Sequence, residues 1–190
     1  VSESRYTLED KWILTKLHDV VSEATLNIEN YDFGVALSKI VDFLWDNFCD
    51  WYIEIAKSRL FDENCATRLE AQYILNYVMG VSMQLLHPFM PFITEEVYSN
   101  LILDNKSESI MISSWPEAES IYSSNDDALM MSTLMDAIRS IRAVRKDMNV
   151  APSRKANIIV VTGSRTIARM FTDGVAFLQR LASVNGLETR

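Results

Sequence analysis

The sequence predicts a mainly α-helical protein, an antiparallel helical bundle followed by the start of a small α/β appendage. Apolar residues recur every three or four positions over the first three quarters of the 190 residues, which is the spacing of one helix face. After Met148 the pattern changes to a continuous apolar run, ANIIVVTG, bounded by glycine as a buried strand is. With 48% hydrophobic residues, 5 Gly and 4 Pro, the chain is compact rather than disordered or collagen-like.

Two helices joined by a turn are predicted first. Thr7 is the predicted N-cap of the first helix, whose apolar positions run from Leu8 to Ile28. The segment NIENYDFG is rich in Asn, Asp and Gly and predicts the turn. The second helix, from Val35 to Leu60, is apolar on most sides, so we expect it to lie centrally.

Three further helices complete the predicted bundle. The third runs from Leu69 to Leu86, the fourth begins at Pro91, and the fifth spans residues 127 to 147. A short extended insert is predicted near 109–116, followed by a loop over ESIYSSNDD. Because the other connections are short, neighbouring helices are expected to be antiparallel.

The predicted domain boundary follows residue 150. Residues 1–150 form the bundle, and residues 151–190 form an incomplete β-α-β unit that begins after a break at Pro152. In this unit ANIIVVTG is the first strand, SRTIARMFTDGVAFLQRLASV is helical, and GLETR opens a second strand.

Composition argues against several classes of site. Two cysteines (Cys49, Cys65) and two histidines (His18, His87) make neither a disulfide framework nor a short metal motif, so we predict no metal. No nucleophile–base pair is present, and we therefore predict no catalytic residue and no cofactor. The apolar runs are too short for a membrane span and no signal region is seen, so we expect a soluble, cytoplasmic protein without membrane contact.

The net charge of −8 hides an asymmetry along the chain. Residues 1–133 hold 8 basic and 22 acidic residues, a balance of −14, whereas residues 134–190 hold 10 and 4, a balance of +6. The net charge therefore argues against a protein that coats nucleic acid over its whole surface, and any attraction for a polyanion must come from local patches.

One such patch follows from the predicted helix directions. If the first three helices alternate in direction, the start of the first, the end of the second and the start of the third meet at one end of the bundle. That end collects five of the eight basic residues in the acidic part of the chain, together with two aromatic residues: Arg5, Lys11, Lys57, Arg59, Arg68, Tyr6 and Trp12. A cationic surface with aromatic side chains suits a single-stranded RNA loop.

A second basic group lies on one broad face of the fifth helix. It consists of Arg139, Arg142, Arg145 and Lys146, and is followed by Arg154 and Lys155. These residues either contact phosphate or pair with the acidic bundle, and the sequence favours neither alternative over the other.

Several sequence blocks are familiar when taken together: DKWIL, NYDFGVAL, FLWDNFCDWYIEIAKSRL, LLHPFMPFITEEVY, SIMISSWPEAE and AIRSIRAVRKDMNVAPSRK. They resemble the C-terminal tRNA-anticodon-binding region of bacterial-type valyl-tRNA synthetases, which are class I aminoacyl-tRNA synthetases. The resemblance covers nearly the whole chain, and its most specific parts are FCDWYIE and HPFMPFITEE. Isoleucyl and leucyl synthetases share the bundle and a similar second block. Ser58 and Ala151 stand where the family pattern has proline.

The resemblance implies the helical bundle of the class I anticodon-binding type and a role in recognising the anticodon of valine tRNA. ATP-dependent valine attachment would belong to a catalytic domain elsewhere, since the His-x-Gly-His and Lys-Met-Ser-Lys-Ser signatures are absent from these residues. The chain itself is then non-catalytic and without a cofactor. The resemblance also implies a helix before this region and a coiled coil after it. The implied partners are tRNA(Val) and the catalytic and editing domains of the same parent chain, with the protein a monomer.

The resemblance places the anticodon loop near the same bundle end that the charge pattern marks. It implies phosphate or base contacts for Lys57, Arg59 and Arg68, with Lys11 nearby. Leu69 and Trp12 are expected to pack against unstacked bases, although Trp12 also fits the apolar face of the first helix. The secondary RNA candidates are Arg139, Arg142, Arg145 and Lys146. Two alternatives remain: a structural bundle that docks other domains or proteins, and the equivalent domain of an isoleucyl- or leucyl-tRNA synthetase.

Overall fold

The computed structural model describes residues 5–104, 106–118, 125–151 and 153–190. It divides into two compact units, one that ends at Asn125 and one from Asp126 to Arg190. Compact packing thus groups the fifth predicted helix with the C-terminal residues, whereas a domain that ends at residue 150 stays a prediction. Residues 119–124 of the predicted loop and the break at Pro152 lie outside the described residues.

The N-terminal unit is helical, and with the small sheet of the other unit it confirms the predicted fold class. Its elements in chain order are α1 (Leu8–Glu29), α2 (Phe33–Asp42), a π-helical segment (Phe43–Ile53), α3 (Glu54–Phe61), α4 (Arg68–Leu86), α5 (Pro91–Asn100) and a 3-10 turn (Ile110–Ile112).

The second predicted helix is a continuous helical run whose middle third is π-helical. The hydrogen bonds of a π-helix join residues five apart, so Phe43 and Phe48 lie on the same buried face. The rings of Phe48 and Tyr52 stack within this segment, with centroids 6.1 Å apart. Trp45, in contrast, is largely exposed. The run supplies the centre of the unit, as its apolar composition predicts.

Neighbouring helices of the N-terminal unit run in opposite directions. An ion pair joins Lys39 near the start of the central run to Glu23 near the end of α1. At the opposite end of the same run, Arg59 is bonded to Asp10 at the start of α1 and to Thr67 just before α4. The core that these helices enclose consists of fully buried side chains: Trp12, Ile13, Leu14, Ile40, Phe48, Tyr52, Ile55, Ile74 and Leu85.

The insert predicted as extended near 109–116 is extended only in part. Ser109 and Ser113 have extended backbone, but Ile110–Ile112 form one 3-10 turn between them. The Ser109 hydroxyl accepts a hydrogen bond from the backbone N–H of Met111, and Ser113 N–H donates to Ile110 O, so local serine bonds bend the chain here.

The C-terminal unit contains α6 (Asn125–Asp147), β1 (Ala156–Val160), α7 (Arg165–Asp173), α8 (Val175–Leu181) and β2 (Val184–Thr189). The two strands are parallel, with Ile158 opposite Leu187 and a register irregularity after Ala156. The predicted strand–helix–strand order is therefore present. No helix among the described residues of either unit is long and apolar enough to cross a membrane.

Two details of the C-terminal unit differ from the prediction. The single predicted helix is two helices that meet at Gly174, where an added Cβ would lie 2.5 Å from Leu134 Cδ1 of α6. The strand predicted as buried is mostly exposed, and Ile159 keeps 53% of its surface accessible. The reason is that the sheet has two strands in the part of the chain that the structure describes, while α7 and α8 pack against β2.

Candidate nucleic-acid interface

Three helix ends meet at one end of the N-terminal unit. They are the start of α1, the end of α3 and the start of α4, and we call the region formed by residues 5–12, 57–61 and 66–70 the bundle corner. The alternating helix directions predict this juxtaposition, and Arg59 makes it visible because its side chain lies on α3 and its partners lie on the other two ends.

Arg59 is the centre of a buried polar network at the bundle corner. Its Nη1 donates to Asp10 Oδ1 at 2.7 Å, to Thr7 Oγ1 at 2.9 Å and to Glu9 Oε1 at 3.3 Å. Its Nε and Nη2 donate to the hydroxyl and the carbonyl oxygen of Thr67, at 3.0 and 2.8 Å. One guanidinium therefore joins α3 to α1 and to the N-terminal end of α4, and we call these residues with Tyr52 the Arg59 network.

Tyr52 completes the network from the π-helical segment. Its hydroxyl donates to Asp10 Oδ1 at 2.7 Å. Burial, together with the Asp10 carboxylate, raises the pKa of Tyr52 far above its ordinary value, so the phenol stays a donor. Burial also raises the pKa of Glu9, with repulsion from Asp10 in the same direction. For Arg59, burial alone would lower the pKa, but the bond to Asp10 and the attraction of both carboxylates reverse it, and the guanidinium stays charged.

Two of the candidate RNA contacts lie inside the protein. Arg59 is 7% exposed, with its donors directed to protein oxygens, and Trp12 is 1% exposed. An RNA phosphate could reach Arg59 only by breaking bonds that hold two buried carboxylates, and a base cannot stack on an indole with no accessible face. Direct contacts by Arg59 and Trp12 therefore do not fit this geometry. Both residues support the surface instead of forming it.

The remaining candidates of the bundle corner are accessible to different degrees. Leu69 is 68% exposed at the first turn of α4, and Lys11 is exposed on α1. Lys57 is 44% exposed at its side chain and forms an ion pair with Glu54 one turn away. Arg68 is half-buried, and its Nε has no hydrogen-bond partner among the described residues. The bundle corner thus carries an exposed apolar side chain, Leu69, on the same helix ends as Lys11, Lys57 and Arg68.

The sequence matches a known protein family over most of its length. The family model described as the anticodon-binding domain of tRNA ligase matches residues 10–160. The chain belongs to this family. The resemblance of the sequence blocks to such a domain is thereby confirmed, and every candidate residue from Lys11 to Lys146 lies within the matched region.

The curated relatives narrow the likeness further. The chain is 40% identical to the valine–tRNA ligase of Clostridium perfringens over 180 residues, which is 95% of this chain and 20% of that protein. It is also 40% identical to the valine–tRNA ligase of Clostridium acetobutylicum, over 93% of this chain, and 35% identical to that of Bacillus cereus, over 95%. The chain spans about a fifth of the length of these relatives, 20% in each case.

Several network residues of this anticodon-binding domain were not singled out by sequence reasoning. They are Glu9, Asp10 and Thr67, whereas Tyr52 belongs to the apolar pattern of the second predicted helix. A signal existed for one of them: Asp10 follows the predicted cap Thr7 by three residues, and Thr7 N–H donates to Asp10 Oδ2 at 3.0 Å, as in a capping box. That spacing predicts the bond across the first turn of α1 but not the ion pair with a residue 49 positions later.

A second ion pair lies at the start of α4. Glu70 is almost fully buried, and its Oε1 pairs with Arg5 Nη1 at 3.1 Å. Arg5 also donates to the carbonyl oxygen of Ala66. Arg5, which precedes α1, thus links this end of the chain to the start of α4 near the surface, as Arg59 links α3 to α1 and α4 in the interior.

The secondary candidates lie on α6 of the C-terminal unit. Arg139 pairs with Asp136 at 2.9 Å. Arg142 Nε donates to Leu181 O at 2.7 Å, and Arg145 Nη2 donates to the carbonyl oxygens of Ala151 and Arg154. Arg139 is thus paired with a carboxylate, whereas Arg142 and Arg145 donate to neutral main-chain oxygens.

Proposed function

We propose that this chain is the tRNA-recognition part of a valine–tRNA ligase and binds the anticodon loop of a valine tRNA at the bundle corner. One observation carries the proposal. The anticodon-binding family model covers residues 10–160, and over nearly its whole length the chain is 35–40% identical to proteins named valine–tRNA ligase. Proteins related to this degree commonly retain the ligand of a shared domain.

The proposal assigns the chemistry to other parts of the parent enzyme. The catalytic domain binds ATP and attaches valine, an editing domain accompanies it, and this chain positions the tRNA. A cytoplasmic location and a monomeric state belong to the same proposal. The anticodon-binding domain itself contributes binding and orientation, which speed a reaction by holding its partners in place.

The bundle corner supports single-stranded RNA binding through three side chains. Lys57 and Arg68 supply charge for phosphates, and Leu69 offers an apolar surface on which an unstacked base can lie. The bond between Lys57 and Glu54 is an exposed pair within one helix, and such pairs contribute little, so a phosphate can replace Glu54. The Arg59 network fixes the helix ends that carry these side chains before RNA arrives, which lowers the entropy lost on binding.

The test is a titration of the chain with valine tRNA and with the same tRNA altered only in its anticodon, at low and at moderate salt. We expect tighter binding to the unaltered tRNA and a steep loss of affinity as salt rises, because phosphate contacts release counterions. Equal binding to both RNAs would contradict anticodon recognition by this chain.

Lys57 and Lys39 form a matched pair for locating the surface. Both are half-exposed lysines on the same helical run, and each is paired with one glutamate, Glu54 and Glu23 respectively. Lys57→Gln should weaken tRNA binding about tenfold or less and lower the salt slope by about one. Lys39→Gln, at the other end of the run, should do neither. Equal effects of the two substitutions would remove the bundle corner as the RNA surface.

A second candidate function is docking of another domain or protein, and it has its own observation. Phe92 is 90% exposed and Ile93 57% exposed on the first turn of α5, and Met111 and Ile112 are also exposed on the 3-10 turn, which packs against α5. Exposed apolar side chains grouped in this way are typical of interaction surfaces. Association through them would respond weakly to salt, so the same titration separates the two functions.

A further inference from the structure

The N-terminal unit has a second end, opposite the bundle corner, where apolar side chains are exposed. Because α1 and α4 both begin at the bundle corner, both end at the opposite side of the unit, where α2 and α5 begin. The 3-10 turn packs against α5 and belongs to the same end. We call the region formed by residues 25–35, 87–96 and 107–117 the apolar end.

Two side-chain hydrogen bonds hold the parts of the apolar end to one another. Ser109 Oγ donates to Glu95 Oε2 at 2.7 Å, which fixes the 3-10 turn on α5. Trp115 Nε1 donates to Thr25 Oγ1 at 2.9 Å, which fixes the segment after that turn on α1. The surface is therefore pre-organised, and a partner that covers it does not have to order it first.

Most of the exposed apolar side chains of the N-terminal unit lie at the apolar end. Among the described residues, ten of the fourteen large apolar side chains that this unit exposes belong to it. Phe92 and Met111 represent the group on α5 and the 3-10 turn described above. Tyr31 adds a second group at the turn between α1 and α2, where its ring meets that of Phe33 edge to face, with centroids 6.2 Å apart. Such a concentration is typical of a surface that a partner covers.

Tyr31 has a backbone conformation that tyrosine seldom adopts. It lies just after α1 with a φ of 65°, in the left-handed region that glycine and asparagine enter more readily. Its side chain is 81% exposed, so burial within this chain does not offset the cost of that conformation. Strained residues of this kind are found at binding sites, where an interaction with a partner retains them.

The charge of the apolar end has one sign. Its three stretches contain no lysine or arginine and six acidic residues: Glu29, Asp32, Glu95, Glu96, Glu108 and Glu117. The nearest lysines along the chain are directed elsewhere. Lys39 is paired with Glu23, and Lys106 donates to the carbonyl oxygens of Ser99 and Leu101 at the opposite end of α5. The exposed apolar side chains are therefore bordered by negative charge.

This acidic border restricts the kind of partner. RNA is disfavoured, because its phosphates would meet carboxylates. A second copy of the chain is also disfavoured, because a symmetric contact would bring the same acidic residues together. The partner that fits is a protein surface with an apolar centre and a border of lysine or arginine.

We infer that the apolar end docks on such a basic-bordered apolar surface of another domain of the same parent chain. The inference rests on the proposed function, because the partner domain lies in the part of a valine–tRNA ligase outside this chain, which spans 20% of the relatives in Clostridium. A domain of the same polypeptide is present at a high effective concentration, so a modest interface stays formed. The bundle corner, at the other end of the unit, stays open to RNA while the apolar end is covered.

The first experiment places the photoreactive residue p-benzoylphenylalanine at Phe92 of the intact parent protein and, as a control, at Trp45. Trp45 is 61% exposed in the middle of the central helical run, away from both ends. Irradiation without tRNA, followed by mass spectrometry, identifies the attached peptide. We expect position 92, but not position 45, to attach to a peptide of the same polypeptide outside these 190 residues, in a yield that is independent of protein concentration.

Other products of this experiment would overturn the inference. Attachment of position 92 to a second copy of the protein, or to the C-terminal unit of this chain, would assign the apolar end to that partner instead. In a parallel irradiation with valine tRNA, attachment of position 92 to the RNA would do the same. Equal yields at positions 92 and 45 would show that no domain of the parent chain covers the apolar end.

Glu96→Lys and Asp46→Lys are matched tests of the acidic border. Both acids are exposed, Glu96 at the apolar end and Asp46 on the central helical run. Glu96→Lys should lower the cross-linking yield at position 92 at least several-fold, because a cation then faces the basic border of the partner, whereas Asp46→Lys should leave the yield unchanged. Replacing the partner's nearest lysine or arginine by glutamate should restore it. An equal loss in both variants would overturn charge complementarity at this end.

Tyr31→Asn separates docking from folding. Asparagine tolerates a positive φ, so the urea midpoint of the chain should be unchanged or higher. The cross-linking yield at position 92 of the parent protein should nevertheless fall several-fold, because an exposed aromatic ring of the surface is lost. A lower urea midpoint with an unchanged yield would assign Tyr31 to the fold and remove the α1–α2 turn from the docking surface.

The anticodon titration keeps this inference distinguishable from the proposed function. If the wild-type chain does not prefer the unaltered tRNA, the proposed function fails, whereas cross-linking without tRNA still reports whether the apolar end is covered. Phe92→Ser should keep the anticodon preference of the 190-residue chain, since it lies at the opposite end from the bundle corner. Loss of that preference in Phe92→Ser would place RNA at the apolar end and overturn the docking assignment.

Discussion

The bundle corner and the last turns of α6, which carry Arg142, Arg145 and Lys146, both concentrate basic residues, but their arginines have different hydrogen-bond partners. Arg59 is buried and donates to two carboxylates, Asp10 and Glu9, at 2.7 and 3.3 Å. Arg142 and Arg145 donate instead to backbone carbonyl oxygens. The first arrangement pairs the guanidinium with buried carboxylates and joins three helix ends, whereas the second fixes each guanidinium against neutral main-chain oxygens.

The comparison shows that a count of basic residues does not measure the cationic surface available to RNA. Five basic residues lie at the bundle corner, but Arg59 is ion-paired within the buried network and Arg5 is ion-paired with Glu70. Lys11, Lys57 and Arg68 remain nearer to solvent. In the C-terminal unit, Lys146 is exposed and forms no ion pair with a described residue. The bonding partner of each cation therefore decides whether it stabilises the fold or attracts a ligand.

The strongest way to test this difference is to remove Arg59. Arg59→Met keeps a long apolar stem but leaves Asp10 and Glu9 as buried carboxylates without a cation, so we expect a loss of about 3–5 kcal/mol in the free energy of unfolding. The free energy of unfolding of Arg59→Lys should lie between those of Arg59→Met and the wild type, because an ammonium keeps the charge but cannot reproduce the forked hydrogen bonds of a guanidinium. Urea denaturation followed by circular dichroism measures both.

Lys57→Met is the control for this experiment. It removes a cation two residues away on the same helix, but one that is half-exposed and paired only at the surface, so the free energy of unfolding should change by about 0.5 kcal/mol or less. If Arg59→Met were no more destabilising than Lys57→Met, the Arg59 network would not hold the bundle corner together, and the contrast between the two regions would fail.

The helices with a regular apolar repeat are predicted well from the sequence. Features that depend on contacts between residues far apart in the chain are not. The spacing of apolar residues predicts α1, α4 and α6, because each helix repeats its own local rule over many turns. The bonds of Arg59 to Thr7, Glu9 and Asp10 have no local signature, since they join residues about 50 positions apart. The exposure of β1 likewise depends on how many strands the sheet contains and on where α7 and α8 pack, which a single apolar run does not encode.

The stability of the C-terminal unit should depend on close packing at Gly174, whereas that of the bundle corner depends on charge pairing. A Cβ at Gly174 would lie 2.5 Å from Leu134 Cδ1 and 3.0 Å from Met170 O, and Leu134 is fully buried with little room to move. Gly174→Ala should therefore lower the stability of this unit by about 1–3 kcal/mol. Hydrogen exchange of the amides of α6 and α8 reports the change locally.

Gly163 supplies the matched control for Gly174. A Cβ at Gly163 has no atom within 4 Å, and its φ is not positive, so alanine fits both the space and the backbone. Gly163→Ala should leave the unit unchanged or stabilise it by up to about 1 kcal/mol through the unfolded chain. Equal protection factors in the two variants would show that the approach of α6 to the α7–α8 turn is not a close-packed contact.

The smallest expected effect concerns pH and belongs to the bundle corner alone. Burial raises the pKa of Glu9 above its ordinary value of 4.5, so the folded protein holds this proton more tightly than the unfolded chain does. The ionised carboxylate therefore costs stability above the folded-state pKa and costs none below 4.5, where it is protonated in both states.

Glu9→Gln imitates the protonated form, so its stability relative to the wild type should rise, by less than about 1 kcal/mol, as the pH is raised from 4 to 7. Urea midpoints of the two proteins at several pH values measure the difference. A relative stability of Glu9→Gln that falls with rising pH would mean that attraction to Arg59 outweighs burial at this carboxylate.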